Sequence, residues 1–308
     1  MLLKGKQTGD NRSGVRLQSR RSRDRSEAIT AYMFIVPDMI GLIIFVIVPI
    51  AFAIYISFFR WDLINDKVFI GLQNYARMAI DREWWESLGR TLKLTLIYVP
   101  SLFCLSLLFA VMVSYIRSKV AGFIKSSLLM PFAITSVIAS TLWMFLFNVK
   151  RGYLNSILNV FGIPDQGFLG SQTQALPSII LVLLWINIGY NMVLFLASIK
   201  DIPASYYEAA TLDGTNRWQD FRYITFPLIR QTSAFILIVT TIASFQVMDL
   251  IMVMTKGGPA KVTEVGALYI FDRSFNMLEM GYGATLSVVL FLILLMLSFV
   301  QFKLVSKE

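Results

Sequence analysis

The sequence predicts an all-α integral membrane protein with six transmembrane helices. Of its 308 residues 56% are hydrophobic and only 15% charged, with a mean hydropathy of +0.65. Soluble domains average about 25% charged residues, so the composition alone points to the bilayer. Six apolar stretches, about 33–58, 92–115, 126–148, 175–198, 228–254 and 283–303, are each long enough to be a span. A hydrocarbon core about 30 Å thick takes roughly 20 helical residues. No stretch alternates with the period of two that a barrel strand requires.

The elements follow in order. Residues 1–28 hold eight Lys/Arg and three acids, which reads as a disordered, basic, topogenic tail and not as a nucleic-acid arm. The apolar run after it is too long for a cleavable signal peptide and lacks a small-x-small site. Residues 29–308 then form one transmembrane domain, because the spacers are too short for a large soluble one. Trp84 and Trp85, just ahead of the second span, read as an interfacial anchor. An even number of spans puts both termini on one side. With that side in the cytoplasm, 17 Lys/Arg fall inside, against 10 outside in 60–91, 149–175 and 256–282. The positive-inside rule therefore predicts a multi-pass protein of a bacterial cytoplasmic (inner) membrane with both ends cytoplasmic.

Much chemistry is absent. There is no histidine, which removes His-based triads, His metal sites and imidazole relays. Cys104 stands alone within the second span and reads as a packing residue; no disulfide is possible within the chain. No phosphate-cradling G-x-x-x-x-G-K-[ST] or dinucleotide G-x-G-x-x-G occurs, and "MTKGGP" at 254–259 has its residues in the wrong order. Lys and Arg are missing from the span cores, and Asp38 and Asp249 lie toward the ends of theirs. A proton- or sodium-driven carrier would need an acid near the midplane. No catalytic or metal-binding residues are predicted.

Two spans carry polar faces. The fourth contains "WINIGYNM" (185–192), with Asn187 and Asn191 four apart, Tyr190 beside them and Gly189 leaving room. The fifth contains "TTIASFQVMD" (240–249), with Thr240, Ser244 and Val247 on one helical face and Gln246 next to it. Two readings remain open. Such residues hydrogen-bond between packed helices in any bundle, or they line an uncharged path for a neutral hydrophilic solute.

Between those spans lies "YYEAATLDGTNRWQDFRYITF" (206–226), too polar for a simple tether. Pro203 suits the start of a helix over 203–212, Asp213-Gly214 stops it, Thr215 caps a second short helix, and Pro227 opens the next span. The side chains of Ala209 and Ala210 are small enough for a groove, with Glu208 to set register. The coupling loop 200–227 is thus predicted to be a docking element for a partner.

"EAATLDG" followed by "ITFP" resembles the pattern E-A-A-x3-G-x9-I-x-L-P of permease subunits of bacterial ATP-binding-cassette (ABC) importers, with Phe226 where leucine is usual. The spacing holds at Glu208, Ala209, Ala210, Gly214, Ile224 and Pro227. "FIGLQNYARM" (69–78), "TKGGP" (255–259) and "LYIFDRSFNMLEMGYGATLS" (268–287) resemble the sugar-uptake branch related to the maltose and glycerol-3-phosphate permeases. A departure is Arg90 before Thr91, where those relatives tend to have Asn. The likeness runs from about residue 31 to the end.

The resemblance implies the six-helix importer permease fold with a cytoplasmic coupling helix, in which Glu208, Ala209, Ala210 and Gly214 dock on an ATPase. It implies a second, non-identical permease subunit, two ATPase subunits carrying the ATP and Mg that this chain does not bind, and an extracytoplasmic solute-binding protein. The substrate would be a sugar or oligosaccharide, for which Asn187, Tyr190, Asn191, Thr240, Ser244 and Gln246 are the candidate path residues. An uncharged path suits a carbohydrate, whereas a phosphate or carboxylate would favour Arg or Lys beside it. The rival readings are a stand-alone secondary carrier for a neutral polar solute, and a membrane-embedded assembly or sensor subunit without a path.

Overall fold

The computed structural model describes residues 30–116, 119–150 and 152–305, so the basic tail over 1–28 lies outside the described residues. The chain divides into two compact units, Met1–Tyr55 and Ile56–Glu308. The first contributes helix α1 (Thr30–Ile56), which is apolar on every side and keeps only 6% of its most apolar window buried. A helix of that composition has no polar face to turn to water, and hydrocarbon is its natural medium.

The second unit opens with a two-residue antiparallel ladder, β1 (Phe59–Arg60) and β2 (Val68–Phe69), in register Phe59 to Phe69. Helix α2 (Gln73–Ile80) follows, then α3 (Arg82–Ser114), α4 (Lys119–Leu129), α5 (Ser136–Leu146), α6 (Tyr153–Val160) and α7 (Ala175–Lys200). The polar loop forms α8 (Ala204–Leu212) and α9 (Arg217–Asp220). Next come α10 (Arg230–Phe245), α11 (Asp249–Met254), α12 (Gly266–Phe271) and α13 (Met280–Val305). Because the spans alternate in direction, the β-ladder, α2 and 255–279 share one end, the ladder end. Helices α8 and α9 lie at the other, the turn end.

The core is the α3–α7 seam. Thr91, Leu94, Thr95, Tyr98, Leu102, Ser106, Ala110 and Val113 recur every three or four residues and are all buried, so they form one stripe down the helix. Leu94, Tyr98 and Leu102 share a cluster with Ile179, Val182, Leu183 and Ile186 of α7. Phe103 meets Phe195 edge-on, with centroids 5.2 Å apart, and Ser106 donates to the Ile188 carbonyl at 3.3 Å. Within a bilayer such packing and hydrogen bonding, not water exclusion, holds helices together.

Three expectations change. The second span begins about ten residues earlier than its apolar run, because Asp81 caps α3 by accepting from the backbone N–H groups of Glu83 and Trp84. Trp84 is consequently not an interfacial anchor; it is fully buried beside Tyr269, whereas Trp85 remains half exposed. The predicted span at 126–148 is a bent pair, Lys119–Ala133 and Ser136–Leu146, meeting at 101°. Pro131 lacks an N–H and lies in a 3-10 turn over Met130–Ala133, so the ladder of hydrogen bonds cannot run through. Thr135 restarts it by accepting from the Ile138 N–H at 3.4 Å. The described helices thus give five spans, or six when the bent pair counts as one.

The break is wedged against Gly189 of α7. A Cβ added there would lie 1.9 Å from the Leu128 carbonyl oxygen and 2.6 Å from the Leu129 nitrogen. Gly189→Ala is therefore expected to cost about 3 kcal/mol or more, since two backbones must separate. Gly122→Ala, at a helical position with nothing within 4 Å, is expected to be neutral or stabilising by up to about 1 kcal/mol. Thermal unfolding of both variants in detergent checks this; equal melting temperatures would refute it.

Candidate functional site

At the turn end, α8 closes with a paired-hydrogen-bond cap. The Thr215 N–H donates to the Ala210 carbonyl and the Gly214 N–H to that of Thr211, both at 3.1 Å. Gly214 supplies the left-handed φ of +76° that this cap needs. The second helix is capped by Asn216 and not by Thr215. Asn216 Oδ1 accepts from the Gln219 N–H at 3.0 Å while Gln219 Oε1 accepts from the Asn216 N–H at 2.8 Å. The Thr215 hydroxyl instead donates to Asp220 Oδ1 at 2.6 Å, joining the two helices.

The four residues predicted to dock divide by face. Ala210 is buried against the chain's own body, while Glu208, Ala209 and Gly214 are exposed. Glu208 makes no ion pair among the described residues. Leu212, 90% exposed, and Trp218, 70% exposed, extend the same element as an apolar surface that water disfavours. Two contacts tie the element to the spans. Tyr207 and Thr225 share a hydroxyl hydrogen bond of 2.9 Å just ahead of Pro227, and the Arg217 guanidinium lies over the Tyr115 ring, 4.9 Å from its centroid, at the end of α3. These contacts join α8 and α9 to the segment leading into α10 and to the end of α3.

The polar faces separate as well. Asn191, Thr240 and Ser244 are buried. Thr240 donates to the Ile236 carbonyl at 2.6 Å, Ser244 and Thr95 share a hydroxyl hydrogen bond of 2.8 Å, and Asn191 donates to the Asn187 carbonyl at 3.0 Å. Asn187 donates to Leu183 O at 2.8 Å and keeps its amide oxygen partly exposed. Tyr190 is 41% exposed and stacks on Phe132, with centroids 4.5 Å apart and planes 11° from parallel. Gln246 is exposed in the non-helical link between α10 and α11. Asn187, Tyr190 and Asn191 thus gather at the broken third span, whereas Thr240 and Ser244 sit in a helix seam. Phe132 had escaped the sequence reading; Pro131 inside an apolar run was the signal that could have found it.

The ladder end carries a network of charges. Asp81, the α3 cap, also accepts from the hydroxyls of Tyr269, at 2.7 Å, and Tyr282. Arg77 and Glu279 form a two-pronged ion pair at 2.9 Å, and Arg273 reaches both Glu83 and Glu279. Arg90, the departure from the family pattern, pairs with Glu86 at 3.0 Å and Glu264 at 3.4 Å. Burial pushes the Glu264 carboxyl up, against the pull of Lys261 and Arg90. No cluster among the described residues could hold a metal ion.

With this geometry in view, residues 78–306 match a protein family described as the binding-protein-dependent transport system inner membrane component. The chain belongs to that family. It is a membrane-spanning permease component and shares family membership with transporter subunits over nearly its whole length. The trehalose/maltose transport system permease protein MalF of Thermococcus litoralis is 31% identical over 90% of this chain and 94% of its own. The sn-glycerol-3-phosphate transport system permease protein UgpA of Agrobacterium fabrum is 33% identical over 91% of this chain and 96% of its own. The permease fold itself matches a chain of a bacterial ABC transporter that imports the acidic polysaccharide alginate. That match has a TM-score of 0.83 at 21% identity and covers 94% of this chain and 99% of that one.

Burial raises the Asp81 carboxyl, but the hydrogen bonds from Tyr282, Tyr269 and the Trp84 N–H outweigh it and hold the group below its ordinary value of 3.8. A depressed carboxylate adds stability that is complete above the unfolded value and fades as pH falls through the folded one. Asp81→Asn is therefore expected to melt lower than wild type at pH 7, by the equivalent of about 1 kcal/mol, and the gap should close below pH 4. A gap of constant size across that range would contradict the assignment.

Proposed function

We propose that this chain is one of two non-identical permease halves of an ABC importer for a sugar or oligosaccharide, driven by ATP hydrolysis on two separate ATPase subunits. The observation that carries the reading is the capped turn of α8 and α9. It presents Glu208, Ala209 and an exposed Leu212 to a partner while its other face is bonded to the ends of α3 and α10. ATP and Mg belong to the ATPases. The turn end faces the cytoplasm, in keeping with the positive-inside count, and both termini lie there. The ladder end then meets an extracytoplasmic binding protein that delivers solute.

Closure of the ATPase dimer moves α8 and α9, and the two halves rock between inward- and outward-facing states. Contact alone shifts no equilibrium, so the docking element has to bind the ATPase differently in the two states. Within this half, Asn187, Tyr190 and Asn191 line the solute path beside Phe132, with Gln246 exposed at the break in the fifth span. Thr240 and Ser244 support it from the seam behind. Aromatic faces and amides with no fixed charge suit a neutral carbohydrate, and relatives named for trehalose, maltose and starch degradation products support the same class.

The test is co-purification in detergent followed by an ATPase assay. Wild-type protein is expected to carry an ATPase whose turnover rises with loaded binding protein. Glu208→Lys or Gly214→Val, the latter costing about 1–2 kcal/mol in a left-handed position, should lose the partner or uncouple it by at least about tenfold. Transport by the isolated chain in vesicles without ATP would instead make it a secondary carrier.

A further inference from the structure

A large cavity of the second unit lies not at the polar spans but at the ladder end. It is an open cleft of about 830 Å³ between the β-ladder, α2 and the 277–279 turn, within the 300–1,000 Å³ range of ligand sites. No helix stripe or coupling contact explains it.

Its walls are held rigid. The Asn74 amide donates to the Ser57 and Phe59 carbonyls at 2.9 and 3.0 Å, pinning the first strand. Asp62 accepts from the Asn65 side chain at 2.6 Å and backbone at 2.8 Å, which closes the hairpin loop. Arg77 lies flat on the Tyr282 ring, 4.0 Å from its centroid, while gripping Glu279. The side chains of Arg60, Asp66 and Gln73, which make no ion pair or hydrogen bond among the described residues, line the cleft together with Trp61. They offer fixed donors, fixed acceptors and an aromatic face, with both charge signs represented. Each sugar hydroxyl both donates and accepts, and the C–H face of a pyranose packs on an aromatic ring, so this mixture fits a neutral saccharide better than an anion or an apolar ligand.

We propose that this cleft is an entry subsite that holds one or two neutral sugar units as they leave the binding protein, ahead of the path within the spans. The proposal rests on the sugar-importer reading above. The assembled importer in nanodiscs, without binding protein, is titrated with maltotriose and read by saturation-transfer NMR. Uptake into proteoliposomes, with binding protein present, is measured in parallel. Wild type is expected to give saccharide signals that weaken at least about tenfold in Trp61→Ala and in Asp66→Ala/Gln73→Ala, the scale of one or two lost contacts. The same variants should raise the KM for uptake while leaving kcat and folding intact. Arg82→Ala, an exposed charge outside the cleft, serves as the control.

Unchanged NMR signals and unchanged KM in the cleft variants, with ATP-driven maltotriose uptake intact, overturn the subsite and leave the importer reading standing. Loss of uptake with unchanged saccharide signals, together with cross-linking of Asp66→Cys to the binding protein, makes the cleft a protein-docking surface and also overturns it. Absence of uptake for maltotriose, maltose and trehalose by the wild-type importer overturns both readings.

Discussion

Hydrocarbon supplies no hydrogen bonds, and that constraint governs how this chain may be polar inside its spans. Thr240, Ser244, Asn187 and Asn191 each donate to a carbonyl three or four residues back on their own helix, so their polarity costs little where water is missing. Where the third span breaks, at Pro131, another backbone presses in. Gly189 admits the Leu128–Leu129 peptide, and Pro131 of the freed turn is buried beside it. Irregular backbone at membrane depth is tolerated only where protein or a cavity covers it. The stacked Phe132 and Tyr190 pair sits beside the break.

The two ends of the second unit solve different problems with different chemistry. The ladder end is cross-braced by Asp81, Arg77, Glu83, Arg273 and Glu279, residues from two separated segments. Exposed ion pairs are each worth about 0–1 kcal/mol, but here several share partners and one carboxylate is satisfied by two hydroxyls and two backbone N–H groups. The result is an orienting frame more than a store of stability. It holds α2, α3 and α13 in one arrangement and keeps the adjacent cleft open.

The turn end is held together by local contacts. Short helices α8 and α9 hold their shape through local caps: the left-handed Gly214, the reciprocal Asn216–Gln219 pair and the Thr215–Asp220 bond. Few contacts tie them to the spans, and those few fall at helix ends. Leu212 and Trp218 add an exposed apolar surface beside Glu208.

Much of this was legible in the residues. Apolar run length determined the medium and the number of crossings, because a helix must match the bilayer thickness, and Glu208–Ala209–Ala210 with Gly214 determined a capped turn, because only certain residues adopt those local conformations. Tertiary structure decided the rest, because it depends on residues far apart in the chain. Only packing against α7 turned the third apolar run into a bent pair, although Pro131 hinted at it. Only the α10 neighbours turned Thr240 and Ser244 inward to a seam while Asn187 and Tyr190 stayed partly open, since a helical face by itself does not say what it faces. Asp81 as a hub, Trp84 as a core residue and Arg90 as the partner of Glu264 were likewise invisible in sequence. Each depends on residues about 170 to 200 positions away, brought close by the return of the chain and by no local rule.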